Sequence, residues 1–128
     1  MHMKNIIILF CLLVGLSVGD TLYAKPPIFM DNYTEALKVS KDLNQPLILI
    51  FSADWCIYCK KLQKDISDRL DKFQDTTICM IDIDRNREMS KKYKVKTIPK
   101  TIVFDSSQKK IKEINGYFDV DILGKNHE

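Results

Sequence analysis

Histidine is nearly missing from this sequence: of 128 residues only His2 and the penultimate His127 are histidines. That leaves almost no material for a histidine-dependent catalytic triad or a His-rich metal centre. Glycine is scarce as well, with four in the chain and none in a GxGxxG or GxxxxGK setting, so no phosphate-cradling loop can be drawn. Charge of one sign is never concentrated. The 20 Lys+Arg and 17 Asp+Glu sum to +3 and the basic residues are scattered, which gives no nucleic-acid surface. Internal repeats, low-complexity tracts and linkers are absent too, and 128 residues suffice for one small core rather than two. What is left to carry chemistry is cysteine, at positions 11, 56, 59 and 79.

The first 24 residues read as an address. Lys4 precedes an apolar run from Ile6 to Val18, and small-residue sites follow at Ser17-Val18-Gly19 and Leu22-Tyr23-Ala24. Cation, apolar stretch and small-residue cleavage site, in that order, make a secretory signal peptide. The run falls short of the roughly 20 residues that span a bilayer, which disfavours an uncleaved anchor. Cys11 follows the bulky Phe10, which argues against a lipid-attachment site. The expected division is therefore 1–24 signal peptide and 25–128 mature domain, exported and periplasmic. Export moves Cys56, Cys59 and Cys79 to where disulfides persist, and three cysteines close at most one intramolecular bridge.

In the mature chain, Tyr33, Ala36, Leu37, Ser40 and Leu43 share one helical face, with Asp31 or Asn32 available as N-cap. Asn44-Gln45-Pro46 ends that helix, and the unbroken apolar run Leu47 to Phe51 reads as a central strand covered on both faces. Leu62, Ile66, Leu70 and Phe73 predict one amphipathic helix from near Cys59 to Phe73. A second inner strand is expected from Ile78 to Ile83, and a short helix from Arg87 to Tyr93. Thr101–Phe104 and Lys110–Ile114 flank a polar turn and read as an antiparallel hairpin. After Gly116 only Asp119 to Leu123 is left before Gly124, so Val120 and Leu123 are expected to cover little, which leaves either an apolar strip for a partner or simply a truncated, marginal fold. The sum is an α/β sandwich whose sheet mixes parallel strands with a terminal hairpin.

Trp55-Cys56-Ile57-Tyr58-Cys59-Lys60 lies where the apolar strand gives way to the amphipathic helix. Unpaired N–H groups and the positive end of the helix dipole favour a thiolate there, so Cys56 is the candidate nucleophile. Cys59 falls one helical turn further on, placed to attack a mixed disulfide formed at Cys56. Trp55, beside the nucleophile, both packs and presents a flat surface.

Ser52 to Lys60, then Ile81-Asp82-Ile83-Asp84, then Val95-Lys96-Thr97-Ile98-Pro99 before a strand, and Gly116 near the end, resemble the thioredoxin superfamily over roughly residues 28 to 123. The resemblance implies a three-layer sandwich, a central mixed sheet flanked by helices. It implies a cis bond before Pro99 and exposure of the Ile98 backbone to an extended substrate strand. It also implies a substrate-binding surface of Trp55, Ile57, Tyr58, Ile98 and Pro99. Two departures stand out. The family's buried Asp, six residues before the first cysteine, is Ile50 here, and the lysine facing it is Met80, so water is expected to take the proton of Cys59. Ile57-Tyr58 replaces Gly-Pro and is closer to exported and isomerase-type members.

The function expected from these residues is an exported thiol-disulfide oxidoreductase that reduces protein disulfides, with a disulfide oxidase or isomerase and a non-catalytic binding module as alternatives. An inert Cys56–Cys59 bridge is a poor staple, because so short a loop removes little chain entropy. Zinc or copper needs further soft ligands, and Cys79, mid-strand, reads as a small buried hydrophobe; no metal or cofactor is expected. Asp82 and Asp84 read as turn and cap residues, Lys60 and Lys61 as solvated charges, and Met89 and Tyr93 as core. A reductase outside the cytosol needs an electron donor, expected to be membrane-embedded, and the protein is expected to be a monomer that binds no nucleic acid.

Overall fold

The computed structural model describes residues 25–123, so the signal-peptide expectation for 1–24 lies outside the described residues. Its centre is a five-stranded sheet in the order β1-β3-β2-β4-β5, formed by Ile28–Met30 (β1), Leu47–Ser52 (β2), Thr77–Asp82 (β3), Lys100–Phe104 (β4) and Lys110–Asn115 (β5). β3 runs parallel to both β1 and β2, whereas β4 is antiparallel to β2 and β5. β2 has the position its apolar run demands. Leu47 to Phe51 are fully buried, because neighbouring strands take both edges and helices take both faces.

Alternation along β2 sorts the core into two halves. Ile48 and Ile50 belong with Leu62, Ile66, Phe73, Ile78 and Val103 on one face. Leu47, Leu49 and Phe51 belong with Ala36, Cys79, Ile81 and Ile102 on the other. The second face is covered by helices Tyr33–Asp42 (α1) and Arg87–Lys92 (α3), with Tyr33, Leu37, Met89 and Tyr93 packed on it. The first is covered by Ile57–Ser67 (α2), which supplies Leu62 and Ile66. Asn32 caps α1 by accepting the Glu35 N–H at 3.1 Å, and Asn44 leaves it at φ +51. The three layers are those the sequence implied.

Three local expectations need correcting. The helix predicted to continue to Phe73 stops at Ser67, followed by a 3-10 turn over Leu70–Phe73. Ser67 Oγ donates to the Gln63 carbonyl at 2.9 Å, a back-bond that loosens a helix end, and the turn buries Phe73 while leaving Leu70 exposed. The short edge strand β1 was not expected at all. It pairs Ile28, Phe29 and Met30 with Thr77, Ile78 and Cys79. Lastly, the segment beyond β5 is no idle end. Val120 and Leu123 are 1% and 2% exposed, in the same core half as Leu62, Ile66 and Phe73. Their 3-10 turn, Val120–Leu123, is held by Arg69, which donates to Asp119 at 3.1 Å and to Asp121 at 2.6 Å, and by the Lys72–Asp121 pair.

The hairpin turn works without glycine. Asp105 Oδ1 accepts the N–H groups of Ser107 and Lys109, and Gln108 takes the left-handed conformation at φ +67.

Candidate active site

Cys56 is the N-cap of α2. Its backbone is extended (φ −88, ψ 107) and its sulfur accepts the Cys59 N–H at 3.2 Å. The strand-to-helix junction therefore aims one of the helix's unpaired N–H donors at the Cys56 sulfur, where negative charge would be favoured. Cys59 completes the turn. It is joined to Cys56 as a disulfide across a Cα–Cα distance of 5.3 Å, and Cys79 is a free, buried thiol.

The two sulfur residues differ from their neighbours in access. Cys56 and Cys59 are 7% and 2% exposed and pack with Ala53, Ile83 and Ile98, whereas Trp55, Ile57 and Tyr58 are 68%, 74% and 60% exposed. Trp55 is steadied by its indole N–H, which donates to Asp84 Oδ2 at 2.9 Å. Asp84 sits in the turn after β3, where Asp82 Oδ1 accepts the Asp84 and Arg85 N–H groups, as the turn reading required. Across the pair stands the loop before β4. The Ile98–Pro99 bond is cis, Ile98 packs on the cysteines, and Pro99 is buried with its carbonyl accepting the Gly116 N–H at 2.8 Å. Of the residues chosen from sequence for substrate binding, Trp55, Ile57 and Tyr58 flank Cys56 along the chain, Ile98 is brought from the distant loop against Cys56 and Cys59, and Pro99 is buried next to it.

Behind Cys59, among the described residues, there is no buried ion pair. Ile50 and Met80 are register partners on β2 and β3, the first fully buried and the second half-buried. A recess of about 90 Å³ is lined by Ser52, Ala53, Asp54, Cys59, Lys60, Gln63 and Met80. The carboxylate among its lining residues, Asp54, is solvent-exposed and paired with Arg85 at 3.3 Å. Cys79, one strand away, is pushed up to about 12 by burial and, secondarily, by the Asp31 charge.

Sequence reasoning missed Tyr117. Its ring lies 6.3 Å from that of Tyr58, and its hydroxyl accepts from Lys61 Nζ and donates to Asp65 Oδ2, both at 2.5 Å. The Tyr117 hydrogen bond, then Lys61, holds the Asp65 carboxyl below its usual range. Lys61 is thus solvated, as expected, and also paired. The only hint in the sequence was that Tyr117 follows Gly116, the glycine shared with the family pattern.

Comparison with known proteins agrees with this geometry. A family model described as a thioredoxin-like domain matches residues 33–125. Thioredoxin H2 of Arabidopsis thaliana is 33% identical over 76 residues, 59% of this chain and 56% of that protein. Thioredoxin 2 of Plasmodium berghei is 36% identical over 84 residues, 64% of this chain and 53% of that one, so the chain spans little more than half of either relative. A mutant thioredoxin from Halobacterium salinarum superposes with a TM-score of 0.65 at 28% identity, covering 79% of this chain and 88% of its own.

Proposed function

The chain belongs to the thioredoxin-like family, carries Cys56 and Cys59 at its CxxC position, and from that premise we propose that it is an exported reductase of protein disulfides. The observation that carries the reading is the Cys56 sulfur at the N-cap of α2, accepting the Cys59 N–H. That donor and the helix dipole favour negative charge on Cys56 in the dithiol form. The Cys56 thiolate attacks one sulfur of a substrate disulfide, forming a mixed disulfide and expelling the other substrate sulfur as thiolate. Cys59, after losing its proton, attacks Cys56 Sγ. The Cys56–Cys59 bond forms, the second substrate thiolate leaves, and two electrons have passed to the substrate. A donor dithiol, held by a membrane-embedded partner, returns the pair to the reduced form.

The exposed surfaces of Trp55, Ile57 and Tyr58, with the Ile98–Pro99 edge opposite, support an extended protein segment as the ligand. Export rests on the order Lys4, Ile6–Val18, Leu22-Tyr23-Ala24, and full-length precursor in a cytosolic fraction would count against it.

The test is direct. Dithiol-loaded protein should reduce insulin and a small aromatic disulfide; Cys56→Ser should abolish both activities, and Cys59→Ser should accumulate mixed disulfides. Retained turnover in Cys56→Ser sinks the mechanism. Binding of oxidised substrate with no reduction by the native protein favours a docking module instead. The reduction potential against glutathione separates a donor from an oxidase, since the family spans about 150 mV between thioredoxin and DsbA.

A further inference from the structure

Lys100 opens β4 directly after Pro99, and its side chain is only 6% exposed. A buried ammonium is costly unless it is fully partnered. Here both partners are present. Nζ donates to the Tyr93 carbonyl at 2.9 Å and pairs with Glu113 Oε1 at 2.8 Å. Tyr93 is the C-cap of α3, so its carbonyl is one of those a helix leaves unbonded, and a cation there also suits the negative end of the dipole. Glu113 lies on β5, opposite Ile102, and is bonded as well by Lys110 at 2.9 Å.

These bonds tie together the ends of one loop. Residues 94–99 leave α3 at Tyr93 and enter β4 at Lys100, so a single ammonium fastens the loop's start to its finish and both to the edge strand. The Gly116 N–H, donating to the Pro99 carbonyl, adds a second fastening from β5's end. From inside this loop Ile98 packs against Ala53, Cys56 and Cys59. A β4 that only needed to begin would not require a charge in its core.

We propose that Lys100 is a positioning residue: by clamping Tyr93 and Glu113 it sets where the Ile98–Pro99 edge stands relative to the cysteine pair, and so how an extended protein substrate is presented to Cys56. This rests on the reading that protein disulfides are the substrates. A small disulfide needs only to reach Cys56, whereas a protein segment must also lie along the loop, so the two respond differently to a displaced edge.

Lys100→Met keeps the bulk and removes the charge. With the native full-length protein as reference, kcat/KM for insulin should fall about tenfold, mostly through KM, while reduction of a small aromatic disulfide stays within about twofold. Glu113→Gln, which leaves the Tyr93 bond in place, should shift KM for insulin in the same direction by a smaller factor. An equal loss toward both substrates, or no loss toward either, overturns the role. If Lys100→Met does not fold, Glu113→Gln decides, and an unchanged KM for insulin overturns it. Native protein that reduces the small disulfide but not insulin removes the substrate reading, and with it this role. Native protein that reduces both, while the variant loses both alike, removes this role alone.

Discussion

Replacing Leu123 by alanine tests whether the brief turn after β5 is part of the core or a loose end. Leu123 is enclosed in the core half that also holds Leu62, Ile66 and Phe73, and the Arg69 bonds to Asp119 and Asp121 keep its turn from following the missing atoms inward. Core Leu→Ala changes cost about 2–5 kcal/mol, more where the surroundings cannot collapse. A segment at the rim of the fold relaxes better than a mid-strand site, so about 2–3 kcal/mol is the expected loss. For a domain of about this size each kcal/mol lowers Tm by about 4–8 °C, which gives a fall of about 8–24 °C. Ile122→Ala is the control. Ile122 is an immediate neighbour but is half exposed, so its loss should stay within about 0.5 kcal/mol. Thermal and urea unfolding of the oxidised proteins, followed by far-UV circular dichroism, read both numbers, with an unchanged urea slope showing that only stability moved. Equal shifts for the two variants, or a Leu123→Ala loss no larger than the control, refute the assignment of this turn to the core.

Three further outcomes follow from the titratable groups. Cys79, fully buried and pushed up to about 12, should react with iodoacetamide only through unfolding, at least about a thousandfold slower than a free thiol in a Cys11→Ser background; rapid native labelling contradicts its place in the core. Glu113 is lowered to about 2 by hydrogen bonds from Lys100 and then Lys110. Its folded pKa lies below its unfolded value, so its contribution to stability is complete above about pH 5 and fades as pH falls toward 2. The Tm difference between native protein and Glu113→Gln should shrink over that window, and a constant difference from pH 7 to 2 sinks the pairing. Finally, with apolar Ile50 and Met80 as register partners in place of an ion pair and Asp54 turned to Arg85, the rate of the Cys59 step should follow pH as a single thiol ionisation; a second, carboxylate limb in rapid-mixing kinetics refutes it.

Much of the site was legible because its key relations are short-range. An apolar run, a CxxC pair and an amphipathic spacing suffice to put Cys56 at a helix start, and Cys59 needs only the helical repeat. The central position of β2 followed from five consecutive apolar residues in the same way. What escaped was set by pairs distant in sequence. Tyr117 meets Lys61 across 56 positions, and Arg69 meets Asp119 across 50. Lys100 stands at the head of an apolar strand, where a charge reads as surface, and only Glu113 on the next strand and the Tyr93 carbonyl make its burial tolerable. The early end of α2 was hidden for a different reason: the spacing of Leu70 and Phe73 continues the helical pattern, and the break in the backbone at Arg69, at φ −132 and ψ 41, is invisible to hydrophobic periodicity.

The geometry also divides labour between the two sulfurs. Both residues are nearly buried, yet the one at the N-cap has the flanking surfaces of Trp55, Ile57 and Tyr58 along the chain beside it, while Cys59 lines the small recess that Met80 also lines. In the proposed reaction an incoming disulfide would meet this exposed apolar surface first, and the sulfur beside it belongs to Cys56. The dipole and the Cys59 N–H favour the charged state on that same atom. Access and ionisation thus favour Cys56 as the nucleophile of the proposed reaction for two independent reasons, which leaves Cys59 to displace whatever Cys56 captures.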